Sequence, residues 1–300
     1  MRIETTIAQT RLACEALRQD SVTPGKRKTL GLVPTMGALH QGHLSLVIAA
    51  QEHCDVVAVS IFVNPTQFGP REDLARYPRP FAEDCAMLEA ARVDLLFAPS
   101  PEEMYPGGAA AATTFVNVEE LSGRLDGASR PGHFRGVATV VAKLFNIIEP
   151  DAAFFGQKDA AQAAVLRRMV RDLNFGLELV VCPIVREPDG LAMSSRNRYL
   201  SAEERRSALV LSRALLAVQA AATSGERSSQ RLLAAGYEVL TPVLERDPTV
   251  RPDYFTVVHP ETLEPVIDVS RGALVAIALH VGTTRLIDNI VLPPLVPHRN

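Results

Sequence analysis

The chain has 300 residues, 47% hydrophobic and 22% charged, with no long polar tract, enough to bury a substantial core in one large or two unequal domains. A formal net charge of −3 supplies no basic field for nucleic acid, so any arginine cluster must be explained locally before a polynucleotide is invoked. Met1 to Thr10 carries Glu4 without an apolar core and no long apolar run follows, which argues against a signal peptide and a membrane span and makes the cytoplasm the expected location. Cys14, Cys54, Cys85 and Cys182 are widely spaced with no Cys-x-x-Cys pair, so they read as buried small hydrophobes rather than a zinc site or disulfide framework.

Ile3 to Arg18 has a helical pattern, ended by the turn former Thr23-Pro24-Gly25 and a solvated basic loop, Lys26-Arg27-Lys28. Thr29 to Val33 is a short apolar run that reads as a buried strand, and Leu44 to Ala50 opens a helix that runs to about His53. Between them lies Val33-Pro-Thr-Met-Gly-Ala-Leu-His-Gln-Gly-His43. A strand entering a glycine turn and then a helix N-terminus is expected to aim unpaired backbone N–H groups and the positive end of a helix dipole at one small volume, which suits a phosphate. Gly37 and Gly42 give the backbone room to turn, and His40 and His43 add imidazoles that can donate hydrogen bonds to oxygens where charge accumulates. The same pattern also occurs as plain structure, so it needs support from elsewhere in the chain.

Val56 to Val63 is β-branched and apolar, as a strand covered on both faces should be, and it runs into Asn64-Pro65-Thr66-Gln67-Phe68. Gln67 lies just past that strand's carboxyl end, either in the crevice where open α/β sheets bind ligands or simply exposed on a loop. A helix over about Ala82 to Ala91 and a strand over Asp94 to Pro99 follow. Ser100 to Ala112 is expected to be a surface excursion, and Thr113 to Val118 to resume β character. Arg130 to Gly136 reads as a turn whose Arg130 and Arg135 either pair with acidic neighbours or reach phosphates. Val137, Val140, Val141, Leu144, Phe145 and Ile148 then trace one wide apolar helix face, closed by Pro150.

Asp151 to Phe155 is the next buried strand, and Gly156-Gln157-Lys158-Asp159 leads into a helix over Ala160 to Leu173 with Ala161, Val165, Met169, Val170 and Leu173 on its apolar face. Gln162 falls in its first turn. Leu177 to Val185 is a last parallel strand, so the alternation implies a Rossmann-like doubly wound parallel sheet over residues 1–184. After Arg186 to Gly190 comes Met193-Ser194-Ser195-Arg196, two hydroxyls beside a guanidinium, a pattern that suits oxyanions but is also ordinary loop composition. Residues 185–300 read as a smaller α+β domain. It opens with a capping box at Ser201 to Glu204, a helix bearing Leu211, Leu215, Val218 and Ala222, and a helix over Ser229 to Leu244. Strands over Tyr254 to Val258, Ala273 to His280 and Thr284 to Leu292 follow, with a hairpin at Val281-Gly282-Thr283.

Pro34-Thr35-Met36-Gly37 with His40-Gln41-Gly42-His43, Phe62 to Phe68, Gly156 to Asp159 with Gln162, and Met193 to Arg196 together resemble the pantothenate synthetase family, the pantoate-β-alanine ligases. The resemblance spans nearly the whole chain in order and is weakest in the C-terminal third. It implies a nucleotidyltransferase fold with a C-terminal lid, a homodimer, and ATP, Mg²⁺, (R)-pantoate and β-alanine as ligands. By position it implies that Met36, Gly37, Ala38, Leu39, His40, Gln41, Gly42 and His43 form the adenine and phosphate turn. His43 would be the catalytic imidazole and His40 its partner. Gln67 and Gln162 are implied to hold pantoate, with Gln67 also close to β-alanine. Gly156, Gln157, Lys158 and Asp159 would contact ribose and phosphate, with Lys158 following the moving charge. Val185 is implied to touch adenine through its backbone, and Met193, Ser194, Ser195 and Arg196 to clamp the triphosphate. No carboxylate pair at ligand spacing marks a protein metal site, so Mg²⁺ is expected to travel on ATP oxygens and water.

Two other readings use the same turn. A nucleotidylyltransferase acting on a phosphate-bearing acceptor would retain the nucleotide in its product, and a nucleotide-binding regulatory module would show no turnover.

Overall fold

The computed structural model describes residues 1–19, 27–70 and 72–295; the expected Thr23-Pro24-Gly25 turn and Lys26 lie outside them. Two compact units emerge, one of Met1–Gly156 with Val165–Pro183, the other of Gln157–Ala164 with the chain from Ile184 onward.

The first unit is built on strands β1 (Arg2–Glu4), β2 (Leu30–Thr35), β3 (Val56–Ile61), β4 (Leu95–Phe97), β5 (Ala152–Gly156) and β6 (Glu178–Cys182). They make one six-stranded sheet in the order β1-β4-β3-β2-β5-β6, with every pair parallel. Its interconnecting helices are α1 (Ile7–Gln19), α2 (Gln41–His53), α3 (Phe81–Ala90), α4 (Pro101–Met104), α5 (Asp126–Ser129), α6 (His133–Ile148) and α7 (Ala160–Asp172). Leu30, Leu32 and Val33 of β2 and Val56 to Val59 of β3 are buried on consecutive positions, as strands covered on both faces require. Setting β1 aside, the order 4-3-2-5-6 reverses direction between β2 and β5. The carboxyl ends of those neighbours are therefore the topological switch point, where open α/β sheets bind ligands. All six apolar residues expected on α6 are buried, each side chain contributing about 1.5–3 kcal/mol relative to exposure.

Several expectations are corrected. The N-terminus opens with β1, not a helix from Ile3, because Arg2, Ile3 and Glu4 pair in register with Leu95, Leu96 and Phe97; α1 starts at Ile7. Thr113 to Val118 forms no strand: the Val116 N–H donates instead to Thr139 Oγ1 at 2.9 Å. Ser100 to Ala112 is not wholly superficial, since Met104 and Tyr105 are buried. The turn expected at Arg130 to Gly136 already holds the start of α6, set by Gly132 at φ 84°. Leu173 lies past the end of α7 and is 52% exposed. Cys14, Cys54 and Cys182 are buried as expected, but Cys85 is only partly so; burial pushes the Cys14 and Cys54 thiols up to about 11.

In the second unit, helices α8 (Ala202–Ala208), α9 (Val210–Thr223) and α10 (Ser229–Arg246) accompany strands β7 (Val250–Val258), β8 (Ala273–Val281) and β9 (Thr284–Leu292) in an antiparallel order β7-β8-β9. The Ser201 box closes in both directions: its Oγ accepts from Glu204 N–H at 3.1 Å, and Glu204 Oε2 accepts from Ser201 N–H at 2.8 Å. The hairpin forms with Gly282 at φ 57°. β7 begins four residues earlier than its apolar pattern suggests, because an edge strand tolerates Pro252 at a bulge. Among the described residues no helix is long and apolar enough to cross a membrane.

Candidate active site

β2 ends in Thr35, and the chain then turns through Met36, Gly37, Ala38 and Leu39 to the N-cap of α2, His40. Gly37 sits at φ 79°, and a Cβ there would come within 2.9 Å of Asp84 Oδ2, so only glycine fits. Ala38 follows at φ 51°, a left-handed conformation costing about 1–2 kcal/mol for a residue with a Cβ. What holds it is Asp84 of α3, only 2% exposed: Oδ2 accepts from Ala38 N–H at 2.8 Å and Oδ1 from Leu39 N–H at 2.7 Å. Gly37 N–H donates to Thr35 Oγ1 at 3.1 Å. The amides of Gly37, Ala38 and Leu39 are thus satisfied internally, which corrects the expectation of a cradle of unpaired N–H groups. Gly42 lies within α2 with no positive φ, so the sharp turn itself rests on Gly37.

The donors of this turn are its histidines. His40 Nδ1 accepts from Gly42 N–H at 3.1 Å and His43 Nδ1 from His40 N–H at 3.3 Å, a reciprocal cap built of imidazoles. A nitrogen that accepts from an amide carries no proton, so each neutral ring bears its hydrogen on Nε2. The rings lie 4.1 Å apart between centroids. Two Nε2–H donors are thereby fixed by main-chain geometry at the switch point.

Beyond β3, Asn64 caps a single 3-10 turn, Pro65–Gln67. Asn64 Oδ1 accepts from Thr66 N–H, Thr66 Oγ1 and the Tyr105 hydroxyl at 3.3, 2.9 and 3.0 Å, while Nδ2 donates to Gln67 Oε1 and to Gly136 O, both at 3.1 Å. Gln67 is 8% exposed, so the exposed-loop reading is set aside. Its Nε2 donates to Met36 Sδ at 2.9 Å, joining the two segments. A thioether is a weak acceptor, so that N–H can be taken over by a better oxygen. Of the two arginines, Arg130 has the acidic partner and Arg135 an aromatic one. Arg130 pairs with Glu72 through Nε–Oε1 at 2.9 Å and Nη2–Oε2 at 2.6 Å, and Arg135 stacks over Phe115 at 3.8 Å. Burial opposes ionisation of Glu72, but the Arg130 guanidinium holds its carboxyl below the usual range.

In the second unit, Gln157–Asp159 is a one-turn 3-10 helix ahead of α7, and a single buried side chain organises it. Asn289 of β9, 3% exposed, donates from Nδ2 to Gln157 O at 2.9 Å and to Lys158 O at 3.0 Å, and its Oδ1 accepts from Gln157 Nε2 at 2.9 Å. Lys158 Nζ is 3.5 Å from Asp159 Oδ1, too long for a strong charge-assisted bond. Gln162 is half-buried in the first turn of α7. Val185 O accepts from Met193 N–H at 3.0 Å and Arg186 bridges Ala192, so the two arms of this loop form a short ladder. Arg186 grips Asp288 at 2.6 and 2.9 Å. Ser194 Oγ accepts from Arg196 N–H at 3.3 Å, capping the 3-10 turn Ser195–Tyr199, and buried Asn197 ties that turn to Glu187 at 2.6 Å. Among the described residues no three His, Cys, Asp or Glu side chains are grouped to hold a metal ion.

In the first unit Met36 and Gln67 are joined by one contact and His40 and His43 by another, and in the second Asn289 and the Lys158–Asp159 contact bring Gln157, Lys158 and Asp159 together. Sequence reasoning missed Asp84, Asn64, Tyr105 and Asn289. Only Asn64 carried a usable signal, an Asn-Pro turn start just past a strand.

The chain matches the family model Pantoate-beta-alanine ligase over residues 2–291. It is 63% identical to the pantothenate synthetase of Acidobacterium capsulatum over 97% of either chain, and 55% identical to that of Koribacter versatilis over 97% of this chain and 96% of the other. The crystal structure of pantothenate synthetase from Thermus thermophilus aligns with a TM-score of 0.88 at 49% identity, covering 98% of this chain and all (100%) of that one. That of pantoate-beta-alanine ligase from Francisella tularensis, complexed with beta-gamma ATP and beta-alanine, aligns with a TM-score of 0.76 at 32% identity over 97% of each.

Proposed function

The chain belongs to the pantoate-β-alanine ligase family, and from that premise we propose that it condenses (R)-pantoate with β-alanine in two steps driven by ATP. In the first, the pantoate carboxylate attacks the α-phosphorus, the bond to the β-phosphate oxygen breaks, and pyrophosphate leaves pantoyl adenylate behind. In the second, the neutral amine of β-alanine attacks the activated carbonyl, AMP departs, the amine gives up a proton, and the amide of pantothenate is formed. No protein nucleophile is needed; the residues position reactants and stabilise charge.

The observation that carries this reading is the pair of imidazoles whose Nδ1 atoms are both occupied by main-chain N–H groups, committing Nε2–H of His40 and His43 to donation. Such fixed donors suit the α-phosphate oxygens, where charge grows as the carboxylate attacks, and His43 carries the larger share. Gln67 takes a pantoate oxygen by exchanging its bond to Met36 Sδ, and lies close to β-alanine; Gln162 is the second amide for pantoate. Lys158 exchanges its long contact with Asp159 for phosphate oxygens, Gly156 to Asp159 serve ribose and phosphate, and Val185 offers its backbone to adenine. Met193, Ser194, Ser195 and Arg196 complete the triphosphate contacts, with the planar guanidinium as the permanent charge.

Mg²⁺ belongs to the same reading as the companion of ATP. The ion would be held by phosphate oxygens and water and would supply charge neutralisation on the triphosphate. The same reading takes the protein to be a homodimer, as the family resemblance implies, with the cytoplasm as its expected location.

The test is product analysis with ATP, (R)-pantoate and β-alanine. Stoichiometric pantothenate and AMP are expected; a product that retains the nucleotide, or no turnover, refutes the reading. Gln67→Ala is expected to raise KM for pantoate about tenfold while leaving that for ATP nearly unchanged, since one hydrogen bond to a charged ligand is lost. Asn289→Leu should do the opposite. It leaves the carbonyls of Gln157 and Lys158 without their shared donor, and steady-state kinetics should show KM for ATP raised about tenfold.

A further inference from the structure

Gln67 can serve a ligand only if its backbone is held still, because the end of its side chain magnifies any tilt of the peptide. A rotation of about 10–20° would displace the carboxamide on the order of 1 Å, enough to spoil a positioned contact. The N-terminal turn of α6 lies directly on this segment. A Cβ on Gly136 would meet Thr66 O at 2.3 Å and Gln67 Cα at 2.7 Å, so helix backbone and loop backbone touch with nothing between them. One turn earlier, half-buried His133 reaches the Gln67 carbonyl with Nδ1 at 2.9 Å. Arg130 Nη1 lies 3.0 Å from His133 Nε2, and Nη2 is 3.4 Å from the same Gln67 carbonyl. An arginine can only donate and a carbonyl can only accept, so the ring carries its hydrogen on Nδ1, the opposite tautomer to His40 and His43. Arg130 is in turn locked by the fork to Glu72.

We propose that His133, oriented by the Glu72–Arg130 pair, is a positioning residue for Gln67 that fixes the Gln67 peptide by donating Nδ1–H to its carbonyl, and so aims the carboxamide at pantoate. The inference rests on the reading of Gln67 as a pantoate ligand. Burial, together with the neighbouring Arg130 charge, pulls the imidazole down to about 4, so the ring stays neutral near pH 7 and keeps a lone pair for Arg130. A side chain serving packing alone would have no need of a donor directed at this carbonyl.

The test compares His133→Ala, His133→Asn and His133→Gln in the full-length enzyme. Asn places its amide nitrogen where Nδ1 stands and keeps the donor; Gln places it near Nε2 and does not. His133→Ala and His133→Gln are expected to raise KM for pantoate about tenfold with KM for ATP within about twofold of the parent, and His133→Asn to restore most of the loss. Combined with Gln67→Ala, His133→Ala should add almost nothing further, because the two act through one contact. Equal effects on both substrates, absence of rescue by Asn, or additive losses in the double variant would overturn the assignment. If His133→Ala fails to fold, the contrast between Asn and Gln decides in the same way. A silent Gln67→Ala removes the premise and the proposal with it, whereas a selective Gln67→Ala beside a silent His133→Ala refutes the positioning role alone.

Discussion

His43→Ala is expected to slow adenylate formation about 10²–10³-fold, the loss that follows removal of one fixed donor to developing charge. Alanine also deletes the acceptor that caps His40 N–H, so the prediction is sharpened by two replacements that separate these roles. Asn retains an acceptor at the position of Nδ1 but cannot reach as far as Nε2. Gln reaches the Nε2 position with an N–H donor but gives up the cap. If donation from Nε2 is what matters, His43→Asn should be nearly as slow as alanine in single-turnover measurements and His43→Gln should recover part of the rate. The reverse order would make His43 a structural cap, and unchanged rates for all three would remove it from the chemistry.

Asp84→Ala should be the most destabilising single change in the signature turn. It strands the amides of Ala38 and Leu39, both buried, at roughly 1–3 kcal/mol each. A loss of roughly 2–6 kcal/mol corresponds to a fall in Tm on the order of 5–20 °C. Asp84→Asn keeps one oxygen and turns an NH₂ group toward the other donor, so a smaller fall in Tm is expected. Because Asp84 also holds Ala38 in its left-handed conformation, both variants should weaken ATP binding at temperatures where they remain folded. Thermal melts and nucleotide titration check the two effects, and a Tm within a degree or two of the parent would show that the turn keeps its shape without the carboxylate.

Much of the fold was legible because it rests on patterns confined to short windows. The β-branched run from Val56, the six-residue apolar face of α6 and the Ser201 capping box each declare themselves within one element, and each is observed. β1 was hidden because a three-residue edge strand has too few residues to show alternation, and its pairing with Leu95 to Phe97 is set more than ninety positions away. Thr113 to Val118 has the composition of a strand, but its Val116 N–H is taken by Thr139 of α6, and composition cannot report where a donor finds its acceptor. The site divides along the same line. His40, His43, Gln67 and Lys158 sit in recognisable strings. Asp84 and Asn289, which shape the turns that carry them, are polar residues in ordinary helical and strand surroundings, and act across forty-five and more than a hundred and thirty residues respectively. Even the signature turn was misread in its chemistry: its glycine and histidines were visible, but the carboxylate that occupies its amides was not.

The central claim is that this chain activates pantoate as an adenylate before any amine takes part. Exchange of labelled pyrophosphate into ATP tests it most directly, measured with (R)-pantoate present and β-alanine withheld. Rapid exchange that requires pantoate and is lost in His43→Asn is the predicted result. Exchange that is absent until β-alanine is added, or that proceeds without pantoate, would contradict the account.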